Sequence, residues 1–161
     1  MKPPVEKLLP LAPRSAARVA AVQALYQMDL AGTDLTDVIA EFMTLRFGSD
    51  AEDQNLKDAD HGFFADIVKG VVRRQREIDP MINQQLAQGW KLTRIDSILR
   101  AVLRAGVFEL MERTDVPGRV AISEYIKVAQ AFLSDDEPKV VNGVLDRLAR
   151  KLRVGEFGNP V

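Results

Sequence analysis

Apolar residues recur along this chain at spacings of three and four, the period of helices with one face turned inward. Arg14 to Ala31 reads as an alanine-rich helix, with Pro13 near its first turn and Gly32 just past its end. Thr33 or Asp34 can cap a second helix, whose Leu35, Val38, Phe42 and Leu45 keep the period until Gly48. Residues 49–60, SDAEDQNLKDAD, are acidic and aperiodic and read as a loop or a frayed helix end. A third helix carries Phe64, Ile67, Val68, Val71 and Val72 on one face and ends at Arg73, Arg74 and Arg76, where positive charge suits the helix dipole. Asp79-Pro80 predicts a restart, with aspartate as cap and proline at the first helical position, and this helix runs to Gly89.

From Thr93 a longer helix turns Ile95, Ile98, Leu99, Val102, Leu103 and Leu110 inward, and Asp115-Val-Pro-Gly is a turn. Ile122, Ile126, Ala129 and Leu133 mark a helix from about Val120 to Leu133. Asp136-Glu-Pro138 opens the last helix, with Val141, Val144, Leu145, Leu148 and Leu152 at helical spacing. No period-two run competes. The expected fold class is all-α, a compact bundle of about seven helices. One helical domain is expected over 14–153, between a flexible proline-rich arm at 1–13 and a frayed tail at 154–161.

Composition narrows the chemistry more than the fold. The chain has no cysteine and one histidine, which excludes thiolate metal sites, disulfides and cysteine nucleophiles. No apolar stretch approaches the ~18 residues of a membrane span, and prolines break up the N-terminus where a secretory signal would need a continuous apolar run. A cytoplasmic protein with no membrane partner is the expectation. The net charge of −1 conceals alternating blocks: residues 31–62 carry eight acidic and two basic side chains, and residues 63–113 nine basic and six acidic. Positive patches are thus compatible with near-neutrality, although most such blocks are solvated faces.

Catalytic motifs are missing: there is no phosphate-binding glycine loop, no nucleophile elbow and no HExxH. His61 beside Asp58 and Asp60 reads as polar surface. The first helix offers more. Arg14, Arg18, Val22 and Tyr26 fall on one slowly twisting row. Guanidinium groups near a helix N-terminus make a phosphate trap, and Tyr26 on the same row can stack on a base. The competing reading makes Tyr26 a core aromatic and pairs the arginines with carboxylates. In the last helix Lys139 and Asn142 share a face near the helix start, and Gly143 marks a close approach.

Four segments, ARVAAVQALYQMDLAG (17–32), LRAVLRAGVFEL (99–110), DVPGRVAISEYIKVAQAF (115–132) and KVVNGVLDRLARKLR (139–153), resemble the NusB family of bacterial transcription antitermination factors in order and spacing. The resemblance spans about residues 14–153. It implies an all-helical, non-enzymatic protein without a cofactor, which binds boxA RNA with a small-subunit ribosomal protein, called NusE in this role. That complex joins RNA polymerase and other Nus factors, notably on ribosomal RNA operons; monomer and homodimer both remain open. Carried over by motif, the RNA-binding residues are Lys2, Arg14, Arg18, Tyr26, Asp136 and Lys139, and Asn142 joins them because it shares the Lys139 face. Two departures stand out: the N-terminal arm is sparse in arginine, and Val140 sits where the family often has an aromatic. The alternative is a NusB-like accessory domain of an RNA cytosine methyltransferase, or a protein-interaction scaffold without RNA contacts.

Overall fold

The computed structural model describes residues 11–48, 54–134 and 136–157. Among these residues seven α-helices follow in order: α1 (Pro13–Ala31), α2 (Leu35–Glu41), α3 (His61–Gln85), α4 (Ser97–Glu112), α5 (Gly118–Phe132), α6 (Asp136–Leu152) and α7 (Val154–Phe157). A π-helical turn, Phe42–Arg46, extends α2, and a 3₁₀ turn covers Gln54–Leu56. No strand occurs among the described residues. The all-α expectation holds, although the helices are not divided as the sequence suggests.

Two helices form the centre. Every residue from Ala16 to Val22 in α1 is buried, and between Leu99 and Leu110 in α4 only Arg100 and Arg104 reach solvent. A helix buried on all sides needs neighbours on all sides, and α4 packs against α1, α3, α5 and α6. The alanines of α1 let it sit deep among them. The pairs Arg18–Glu109 and Asp29–Arg100 run α1 and α4 antiparallel. Likewise Asp66–Arg113 and Asp79–Arg104 make α3 antiparallel to α4.

Local chemistry sets several ends as expected. Pro13 occupies the first turn of α1, and Gly32 closes it at φ 67°, its N–H donating to the Met28 carbonyl. Asp34 caps α2 by accepting from the Thr36 N–H. The Phe47 N–H closes the π-helical turn on the Phe42 carbonyl and Gly48 follows at φ 99°, with Phe47 edge-on to Phe42 and Phe64.

Three expectations require correction. Asp79-Pro80 does not restart a helix: α3 runs unbroken through Pro80. Asp79 caps nothing, because its carboxylate takes both bonds of Arg104 at 2.9 Å. Ile78 and Ile82 flank the proline and are fully buried, so core packing offsets the backbone bond that proline removes. The α4 helix begins at Ser97, not Thr93, because Asp96 accepts from the Ile98 and Leu99 N–H groups. Residues 154–157 of the supposed frayed tail form α7; residues 158–161 and the first ten of the N-terminal arm lie outside the described residues.

The α7 turn is held by Arg153, which is 7% exposed. Its guanidinium donates to the carbonyls of Leu110, Glu109, Arg113 and Val116 at 2.7–3.1 Å, and it pairs with Glu156. Those carbonyls belong to the end of α4 and the turn after it, where backbone donors become sparse. Glu156 also accepts from the Gly118 N–H, and this bond, followed by Arg153, holds its carboxyl below the usual range. Arg153→Met keeps much of the stem but removes every donor. We expect it to cost about 2 kcal/mol in urea unfolding, since all four carbonyls lose a donor, although those of Glu109 and Arg113 keep the N–H groups of Arg113 and Val116; an unchanged midpoint would refute this anchor.

Candidate nucleic-acid interface

The row that the sequence places on α1 runs from the molecular surface into the core. Arg14, with 43% of its side chain exposed, donates to Asp115 at 3.1 Å. Its guanidinium lies 4.5 Å from the centre of the Phe63 ring, against which Arg18 and Arg113 also pack. Arg113 holds the Asp115 carboxyl below its ordinary range, and Arg14 adds to that effect.

Arg18 is a different case. Only 4% of its side chain is exposed, and it makes two bonds to Glu109, at 2.8 and 3.0 Å, and one to Glu124 at 3.0 Å. Burial opposes its charge, but the bonds and charge of Glu109 more than offset this and keep the guanidinium above its usual pKa. The Tyr125 hydroxyl donates to the same Glu109, and burial, then that carboxylate, push its pKa well up. Glu124 in turn accepts from Ser15. Arg18 as placed therefore joins α1, α4 and α5 and presents no donor to a ligand. The reading in which this arginine finds carboxylates is the one realised.

Tyr26 is half-buried, two turns beyond Arg18, and its hydroxyl makes no hydrogen bond among the described residues. The fully buried tyrosine is Tyr125. Lys2 lies outside the described residues.

Asp136, Lys139 and Asn142 are all exposed in the first half of α6. Lys139 and Asn142 line a groove of about 320 Å³ with Ile126, Gln130, Leu133 and Pro138. A neighbouring depression of about 410 Å³ shares Ile126, Gln130 and Asn142 and adds Arg119, Lys127 and Asp146. Sequence reading missed Arg119 and Lys127, whose approach to α6 depends on how α5 packs. At Gly143 the nearest group is from its own helix: a Cβ there would meet the Arg147 guanidinium at 3.2 Å. His61, the first residue of α3, stacks on Phe47 with ring centres 4.9 Å apart.

These residues occupy two ends of the molecule. Arg14 lies with Asp115, beyond the C-terminus of α4, whereas Glu137 of α6 lines a cavity with Asp96 and Leu99 at the N-terminus of α4. At 1.5 Å per residue, the fourteen steps from Leu99 to Arg113 span about 21 Å. The sequence-predicted residues thus divide into an Arg14 end and an α6 end, with Tyr26 between them along α1.

Comparison with known proteins agrees with this architecture. A model of the NusB family matches residues 15–150. The chain belongs to the NusB family. The transcription antitermination protein NusB of Rhodopseudomonas palustris (strain TIE-1) is 50% identical, the match covering 97% of this chain and 92% of that protein. The NusB protein of Bradyrhizobium diazoefficiens is 53% identical, covering 90% and 88%. Among solved structures, T. maritima NusB matches at TM-score 0.71 and 28% identity, covering 87% of this chain and 92% of that one. A crystal structure of the antitermination factors NusB and NusE in complex with double-stranded RNA matches at TM-score 0.66 and 25% identity, covering 86% and 96%. Among the described residues, no helix of this NusB-family chain is long and apolar enough to cross a membrane.

Proposed function

We propose that this protein is a transcription antitermination factor that binds boxA-type RNA together with the small-subunit ribosomal protein NusE. It acts in the cytoplasm, within an RNA polymerase complex containing other Nus factors, and catalyses no reaction itself. The observation that carries this reading is the match, over 86% of the chain, to a NusB that was crystallised with NusE and RNA. In this reading Lys139, Asn142 and Asp136 of α6, with Tyr26 of α1, face RNA, Arg14 contributes from the opposite end and Lys2 from the N-terminal arm. Arg18 positions α1 instead.

The chain is nearly neutral, with formal charge −1, so its own attraction to phosphate is modest at ~0.15 M salt. A basic partner would extend the positive track. Partner and RNA should then raise each other's affinity by one common factor, typically ~5–150-fold. The test titrates boxA RNA and a scrambled RNA at several salt concentrations, with and without the ribosomal protein. We expect boxA to be preferred and the salt slope to steepen in the ternary complex. Lys139→Ala should weaken binding by about 1 kcal/mol, the order of one lost charge-assisted bond. Equal affinity for both RNAs under every condition would reject the reading.

A further inference from the structure

We propose that the turn before α4 is a stacking platform for an unpaired RNA base, built on Trp90 and flanked by Lys91 and Arg94. This rests on the RNA-binding reading and adds a contact for the strand beyond the start of α6. Trp90 is 42% exposed, and with Lys91 and Arg94 it lines an open cavity of about 300 Å³ whose far wall is Glu137 of α6. An indole left in solvent loses the burial that usually holds this residue inside.

The exposure is not slackness of the turn. Gly89, at φ 90°, makes the bend, and the Trp90 N–H donates to the Ala87 carbonyl. Next to it Leu92 is 1% exposed, and its N–H donates to Asn83 at 2.9 Å. From below, Arg100 donates to the carbonyls of Leu92 and Ile95 while paired with Asp29. The backbone beneath the indole is thus fixed at both ends, so a stacked base would not first have to order it.

Charge selects the occupant. Lys91 and Arg94 are exposed and form no ion pair among the described residues. The two carboxylates in the lining are already engaged: Asp96 accepts from the first N–H groups of α4, and Glu137 accepts from the Ser134 hydroxyl. An exposed aromatic beside two cations that neither Asp96 nor Glu137 pairs with, although both carboxylates keep their charge, fits a base and its flanking phosphates. The cavity lies at the same end of the molecule as the start of α6, on which Lys139 sits, so one strand can reach both.

Trp90 is the sole tryptophan, so its fluorescence reports the contact directly. The experiment titrates the full-length chain with fluorescein-labelled single-stranded boxA-type RNA and with a duplex RNA of equal length. Label anisotropy follows binding, and indole emission, measured with unlabelled RNA, follows stacking. We expect the single strand to quench Trp90 in step with binding and the duplex to quench it much less. Trp90→Ala should bind the single strand about 10-fold more weakly and Trp90→Phe nearly as well as the parent. Lys91→Ala and Arg94→Ala should each lower the salt slope by about 0.7. Saturable binding with unchanged indole emission and an undiminished Trp90→Ala affinity overturns the platform and leaves the RNA reading standing. Quenching that needs the ribosomal protein and no RNA assigns the surface to protein and overturns it as well. Absence of any RNA binding, with or without the ribosomal protein, removes both.

Discussion

Arg18→Ala is expected to lower stability by about 3–5 kcal/mol while leaving the RNA affinity of the folded fraction nearly unchanged. The magnitude follows from what the substitution strands. Glu109 is fully buried, and its only cationic partner at hydrogen-bond distance among the described residues is Arg18. Removing one partner of a buried ion pair leaves an uncompensated charge, which costs far more than the pair contributes when intact. Whole domains are stable by roughly 5–15 kcal/mol, so the loss is a large share of the total. Urea unfolding measures it. A second variant guards against a protein that fails to fold: Arg18→Met, Glu109→Leu and Tyr125→Phe together replace the buried polar cluster with apolar groups of similar size. That triple variant should be clearly more stable than Arg18→Ala alone. If Arg18→Ala unfolds within about 0.5 kcal/mol of the parent and instead loses RNA affinity, the arginine faces ligand and the buried pairing is wrong.

The difference between these two fates of Arg18 shows where sequence reading stops. The pattern Arg14, Arg18, Val22, Tyr26 correctly gives one row on one helix, but a row has no sign: it faces phosphate or core depending on what packs against it. The deciding residue is Glu109, 91 positions away in sequence. Helix ends behave oppositely, because their determinants are local. Pro13, Gly32 and Asp34 are legible since each satisfies or releases backbone groups within a few residues of itself. Pro80 misleads for the same reason, as its local preference is overridden by Ile78 and Ile82 in the core and by Arg104 on Asp79. Arg153 looks like the last basic residue of an amphipathic helix until the carbonyls ending α4 are in view. Trp90 carries no periodic signal at all. The available clue was an aromatic between Gly89 and Lys91 in an aperiodic stretch, where a core residue is not expected.

The packing of α3 on α4 yields the second large effect. Gly70 lies in the middle of α3 and is buried, in a helix where alanine would ordinarily be preferred by about 1 kcal/mol. A Cβ at this position would fall 2.0 Å from one atom of the Phe108 ring and 2.3 and 2.7 Å from two others. Phe108 is itself fully buried, so the ring has no solvent to move into. The two helices approach this closely because one of them has no side chain there. Gly70→Ala should therefore destabilise the protein by about 3 kcal/mol, at the upper end of overpacking costs, despite alanine's better helix propensity. The discriminating measurement is a double-mutant cycle with Phe108→Leu. Phe108→Leu alone leaves unfilled space and costs stability, but in the Gly70→Ala background it removes the clashing ring. The combined loss should fall short of the sum of the single losses by at least 1 kcal/mol, since residues in direct contact couple. Additive losses within about 0.5 kcal/mol would mean that α3 and α4 do not meet at this pair. A Gly70→Ala protein more stable than the parent would mean that helix propensity alone governs the site.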